Sequence, residues 1–197
     1  MSRFTIAPTP LAGVVEITRN VIGDHRGFFS RFFCAEELAA AGFDSPVAQM
    51  NHSYSAKRGT VRGLHFQYPP HAEIKLVSCV RGRVFDVAVD LRAGSPTFLQ
   101  WHAVELSAER RNSLLVPKGF AHGFQTLEDD CELLYLTSTP YAQAAEDGLN
   151  PNDDRLGIAW PLDITECSDR DRNHPPLTDA FTGINLLARH PELQEQP

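Results

Sequence analysis

The stretch RGLHFQ, Arg62 to Gln67, sets an arginine and a histidine three residues apart, with Gly63 beside the arginine and Leu64 and Phe66 flanking the histidine. An imidazole placed there has three available tasks: metal ligand, proton-transfer base, or a ring packed into a sheet. Its ordinary titration near pH 6.5 suits it to taking a proton at neutral pH, most of all when a carboxylate fixes its tautomer. His65 is therefore the leading candidate for a base, set against the ordinary alternative of a half-buried ring among apolar neighbours.

A metal needs more than one histidine. In cupin-type barrels an HxH pair, a later Glu and a third His converge on one ion. The segment VPKGFAHGF supplies Pro117, Gly119 and His122 at the spacing of the later half of that pattern, but Phe66 and Gln67 follow His65 where the partner histidine belongs. No metal is expected. The four cysteines, Cys34, Cys79, Cys131 and Cys167, form no CxxC pair and read as reduced thiols. Tyr135, in CELLYLTS, shares a strand face with Cys131, Leu133 and Thr137 and reads by itself as a core tyrosine with its hydroxyl at an edge. Arg62 and His65 also pose a problem of parity. In a regular strand they point to opposite faces, so a common site demands a bend, which Gly63 could supply.

The elements that must hold these residues are strands. From about residue 73 to 139 the chain runs in short segments rich in Val, Leu, Phe and Tyr, punctuated by Gly, Pro, Asp and Asn. Strands are expected at Lys75 to Val80, Val84 to Leu91, Trp101 to Leu106, Ser113 to Val116, Ala121 to Leu127 and Glu132 to Ser138. In the second of these, Phe85, Val87, Val89 and Leu91 fall on one face and Asp86 and Asp90 on the other, with Gly82 turning the chain before it. Connections this short suit antiparallel neighbours in a sandwich or small barrel. Cys34 to Gly42 is the best helix candidate, closed by its glycine. A second short helix is expected around Asp179 to Ala188, after an irregular return segment.

A chain of 197 residues, 42% hydrophobic, is long enough for one buried core, and a single domain spanning 1–197 is expected. Acidic residues outnumber basic ones by 25 to 18 for a formal charge of −7, with no basic run to track phosphates, so no nucleic-acid partner is expected. No window approaches the roughly 18 apolar residues of a membrane span and no signal segment opens the chain, so a cytoplasmic, membrane-free protein is expected.

Taken in order, RGLHFQ, KLVSCVRGRVFDVAVDLRAGSPTF, VPKGFAHGF and LGIAWPL closely resemble the dTDP-4-dehydrorhamnose 3,5-epimerase family of cupin-fold sugar-nucleotide epimerases, over about Asp24 to Asp171. The resemblance implies an all-β cupin jelly-roll barrel with a few short peripheral helices, no metal and no cofactor. It also implies a homodimer whose N-terminal strands exchange between subunits, and a dTDP-linked 4-keto-6-deoxysugar as substrate. His65 would then be the base, Asp171 in SDRD its carboxylate, Lys75 the cation beside the enolate oxygen and Tyr135 the acid on the opposite face. Arg62 would pair with the diphosphate and His122 would touch the sugar. Arg26 and Phe28 in DHRGFF, Gln49 and Asn51 in QMNHSYS, Tyr141 and Glu146 would complete substrate binding. Ser30 stands where the family often has Glu, Glu73 where Gln is common, and TSTPY carries the single Tyr141 in place of paired tyrosines. The expected activity is inversion of C3, C5 or both on a dTDP-4-keto-6-deoxyhexose. A sugar-nucleotide-binding cupin without catalysis and a metal-dependent cupin are the rival readings.

Overall fold

A computed structural model describes residues 2–187 of the chain. It opens with four short strands, β1 (Phe4–Pro8), β2 (Val15–Arg19), β3 (Ile22–Asp24) and β4 (Gly27–Phe29), then a brief helix, α1 (Ala35–Ala39). There follow β5 (Gln49–Ser55), β6 (Val61–Gln67), β7 (Lys75–Arg81), β8 (Arg83–Asp90) and β9 (Trp101–Ser107). The chain continues with β10 (Asn112–Val116), β11 (Phe120–Thr126), β12 (Cys131–Thr137), β13 (Glu146–Gly148) and a one-turn helix, α2 (Asp169–Arg172).

Six strands form one sheet in the order β1-β2-β10-β7-β12-β5 and five form a second in the order β13-β6-β11-β8-β9. Adjacent strands within each run antiparallel. Sequence neighbours such as β6 and β7 lie in different sheets, the arrangement of a jelly roll. Between the sheets Val77, Leu114, Leu133, Val84, Ala88 and Phe120 pack into one apolar cluster.

The expected alternation along β8 is present, but both of its faces are buried. Val84 and Ala88 point into the barrel, and Asp86 between them shares that face, 0% exposed. Val87, Val89 and Leu91 point outward under Leu149, Leu156 and Ile184 of the return segment. On the other sheet, Leu76, Leu115 and Leu136 point outward beneath Leu38 and Phe43, so α1 caps the barrel flank.

Each of the six expected strands forms within a residue or two of its expected bounds. The helix expected at Cys34 to Gly42 is shorter, and Gly42 ends it with φ of +111°. The helix expected at Asp179 to Ala188 does not form over residues 179–187; Ala188 lies outside the described residues. Instead Ile184 makes a parallel bridge to Arg92, donating its N–H to the Leu91 carbonyl at 2.6 Å. Gly183 permits this approach, because a Cβ there would lie 2.8 Å from the backbone of Ala93 and Leu91. Burial of Ile184 against the barrel overrides the helical preference of the nearby leucines. Among the described residues no helix is long and apolar enough to cross a membrane.

Candidate active site

The barrel opens into a cavity of about 770 Å³, a size suited to a small organic ligand. β6 sets its most polar wall, and the parity demand on Gly63 is met there by a bulge. His65 pairs with His122 of β11 and Arg62 with Phe124, so Gly63 and Leu64 together face the single residue Gly123. The extra residue puts Arg62 and His65 on the same cavity while Leu64 turns outward into the other core cluster. Gly63 has φ of +106°, and a Cβ would lie 2.7 Å from the Gly123 Cα and the His122 carbonyl, so only glycine fits.

His65 and Asp171 meet across 106 residues of sequence. The His65 Nε2 lies 2.7 Å from one oxygen of Asp171, whose other oxygen accepts from the Gly63 N–H at 3.1 Å. The Ser168 hydroxyl caps α2 by accepting the Asp171 N–H at 3.0 Å, which fixes the turn that delivers the carboxylate. Burial raises the Asp171 carboxyl, but the His65 ring and the Gly63 N–H outweigh it and hold the group below its ordinary range. An ionised carboxylate only accepts, so Nε2 carries the proton and the Nδ1 lone pair of His65 is the basic one.

Lys75, at the head of β7, donates to the His65 carbonyl at 3.2 Å and pairs with Glu73 at 3.0 Å. Glu73 also accepts from Gln67 at 2.9 Å, so the ammonium is fixed from two sides. Tyr135 lies on the opposing sheet, where burial raises its hydroxyl above the ordinary phenol, with Arg62 pulling the other way. The phenol is therefore protonated at neutral pH. Tyr141 donates to Glu146 at 2.7 Å, and Glu146 also pairs with Arg170 at 2.7 Å. Burial pushes the Glu146 carboxyl up, yet these two partners hold it below its ordinary range.

Of the residues singled out in the sequence, His65, Asp171, Lys75, Tyr135, Arg62 and His122 all line this cavity. Gln49, Asn51, Tyr141 and Glu146 line it too. Arg26 and Phe28 do not: they sit on the β3–β4 hairpin, Arg26 bonded to Asp24 and Phe28 60% exposed beneath Arg111. Arg170 went unrecognised in the sequence although it lines the cavity one residue before Asp171. Its signal was SDRD itself, a run in which every charged residue competes for attention.

The model of the dTDP-4-dehydrorhamnose 3,5-epimerase family matches residues 8–179. The chain belongs to that family. It is 43% identical to the dTDP-4-dehydrorhamnose 3,5-epimerase of Shigella flexneri, over 90% of this chain and 98% of the other. It is also 45% identical to a dTDP-4-dehydro-6-deoxyglucose 3-epimerase of Streptomyces bikiniensis, over 88% of each. Among solved structures, the dTDP-6-deoxy-D-glucose-3,5-epimerase of Legionella pneumophila in complex with dTDP-4-keto-L-rhamnose superposes with a TM-score of 0.86. That chain is 37% identical, and the match covers 94% of this chain and 100% of the other. Membership makes the protein an epimerase, and its fold the jelly roll shared by these enzymes.

Proposed function

We propose that this epimerase inverts C3, C5 or both on a dTDP-4-keto-6-deoxyhexose, by removing and returning a proton through an enolate. The observation that carries the reading is the convergence of the His65–Asp171 dyad, Lys75 and Tyr135 on one cavity. A ketone at C4 acidifies the neighbouring C–H bonds. His65 takes the proton at Nδ1, and the C–H electron pair moves to form the enolate, whose oxygen Lys75 holds. Tyr135 then gives its proton to the opposite face of the carbon, and the phenolate and imidazolium return to their resting states by exchange with water.

Among the described residues, Arg62 and Arg170 are the two guanidinium groups on the cavity wall, and they suit the diphosphate. His122 suits the sugar, while Gln49, Asn51 and Tyr141 at the outer end suit the thymine and deoxyribose, with Glu146 orienting Tyr141. The reading includes a homodimer in which the β3–β4 hairpin carries Arg26 and Phe28 to the partner's cavity, and a cytoplasmic setting with no metal or cofactor. The exposure of Phe28 and Phe29, 60% and 62%, supports such a partner.

The test is incubation with dTDP-4-keto-6-deoxyglucose in deuterated water, with the C3 and C5 protons followed by NMR. Solvent exchange at either carbon supports the reading; exchange at neither, with tight dTDP binding, points instead to a binding protein without catalysis. Inversion at C3 alone is the second reading, since the chain is as similar to the Streptomyces bikiniensis 3-epimerase as to a 3,5-epimerase, 45% identical to each. Deuterium at C3 and none at C5 would establish it.

A further inference from the structure

Asp86 does not line the cavity, yet it buries a carboxylate among the apolar side chains inside the barrel. Its carboxylate is 0% exposed, one oxygen lies 2.9 Å from the His122 Nε2, and the other is buried and accepts no hydrogen bond. Burial pushes its carboxyl above the ordinary range, against the pull of the His122 ring and of Lys75. A buried carboxylate half unsatisfied destabilises a fold, and an apolar or amide side chain between Val84 and Ala88 would be better tolerated. Its presence calls for a function.

The register supplies one. His65 and His122 are direct cross-strand partners on β6 and β11, and each has its own carboxylate. Asp171 reaches His65 from the return segment, and Asp86 reaches His122 from the neighbouring strand, inside the barrel. Lys75 stands with both histidines on the cavity and bears on the Asp86 carboxylate.

We infer that Asp86 is a positioning residue, the buried carboxylate behind both His122 and Lys75, which fixes the His122 ring against the sugar and holds the Lys75 ammonium as the hydrogen-bond donor to the sugar C4 oxygen. The inference rests on the proposed enolate chemistry. The Asp86 carboxylate accepts the His122 Nε2–H, so the Nδ1 lone pair is left to accept from a sugar hydroxyl, and a negative charge stands behind the Lys75 ammonium. The ring and the ammonium are then in place before charge develops on the ketone oxygen.

The test is Asp86→Asn, which conserves volume and one acceptor, with Asp86→Ser as a second variant. Turnover should fall about 100-fold with KM within about 3-fold, since the ammonium acts on the transition state more than on the bound sugar. Affinity for dTDP, which lacks the ketone, should stay within about 2-fold, and the thermal midpoint should hold or rise as a buried charge is removed. A lower midpoint with parallel losses in dTDP affinity and turnover would show a merely structural residue and overturn the inference, as would turnover within about 3-fold of the parent. The ¹⁵N shifts of the His122 ring need no turnover: a changed tautomer in Asp86→Asn supports the inference, and an unchanged one counts against it. A parent enzyme without solvent exchange would sink the proposed chemistry separately, since the ring shifts still report on Asp86.

Discussion

At the scale of single residues, the division of labour between His65 and Tyr135 is open to direct test. In His65→Ala, exchange at both sugar carbons should be lost, with turnover down by about 1,000-fold or more, and unchanged turnover would refute the base. Tyr135→Phe should retain some wash-in of deuterium at the carbon facing His65 while inversion fails, which NMR of the substrate pool distinguishes from simple inactivity. Asp171→Asn leaves one acceptor oxygen for two donors, the His65 Nε2–H and the Gly63 N–H, so the His65 tautomer is no longer fixed and a loss of about 100-fold at constant dTDP affinity is expected. Much of this site was legible in the sequence, because His65, Lys75, Tyr135 and Asp171 belong to motifs whose order survives along the chain. Asp86 was legible only as a polar position in an apolar strand. Its partner lies 36 residues away, and a strand's alternation does not say which of its faces encloses a site.

At the scale of elements, β6 works only because Gly63 lets two residues oppose one. Gly63→Ala adds a Cβ 2.7 Å from two backbone atoms at a positive φ, and should cost about 3 kcal/mol in chemical denaturation and most of the activity. The turn after β8 gives a pH-dependent test. Burial pushes the Asp90 carboxyl up, but the Arg92 guanidinium, the Ser95 and Thr97 hydroxyls and the Arg92 N–H together hold it at about 2. A carboxyl depressed in the folded state stabilises above its unfolded value of about 3.9, and that contribution is lost as pH falls toward the folded value. Asp90→Asn should therefore lose about 2 kcal/mol at pH 7, and the difference from the parent should close between about pH 4 and pH 2 in urea titrations. The central strands were legible because alternation and turn residues coincide there. Three-residue β13 carries no periodic signal, and the segment near Ile184 was misread as helix because local preference gave way to docking on the barrel.

At the scale of the whole molecule, the chain encloses a cavity but leaves the β3–β4 hairpin presenting two phenylalanines to solvent. Light scattering should give twice the mass of the chain, and Phe28→Ser with Phe29→Ser should raise the fraction of single chains and weaken dTDP binding together. A stable single chain with full dTDP affinity would overturn the exchanged-dimer part of the reading. The carboxylate of the dyad comes from α2, beyond both sheets of the barrel. The walls of the cavity and the carboxylate that arms its base therefore belong to separate parts of the structure, joined through one side-chain contact and the Gly63 N–H. Fraying of that single helical turn would part His65 from its carboxylate while both sheets stand, so the chemistry can be switched off by an opening far smaller than unfolding.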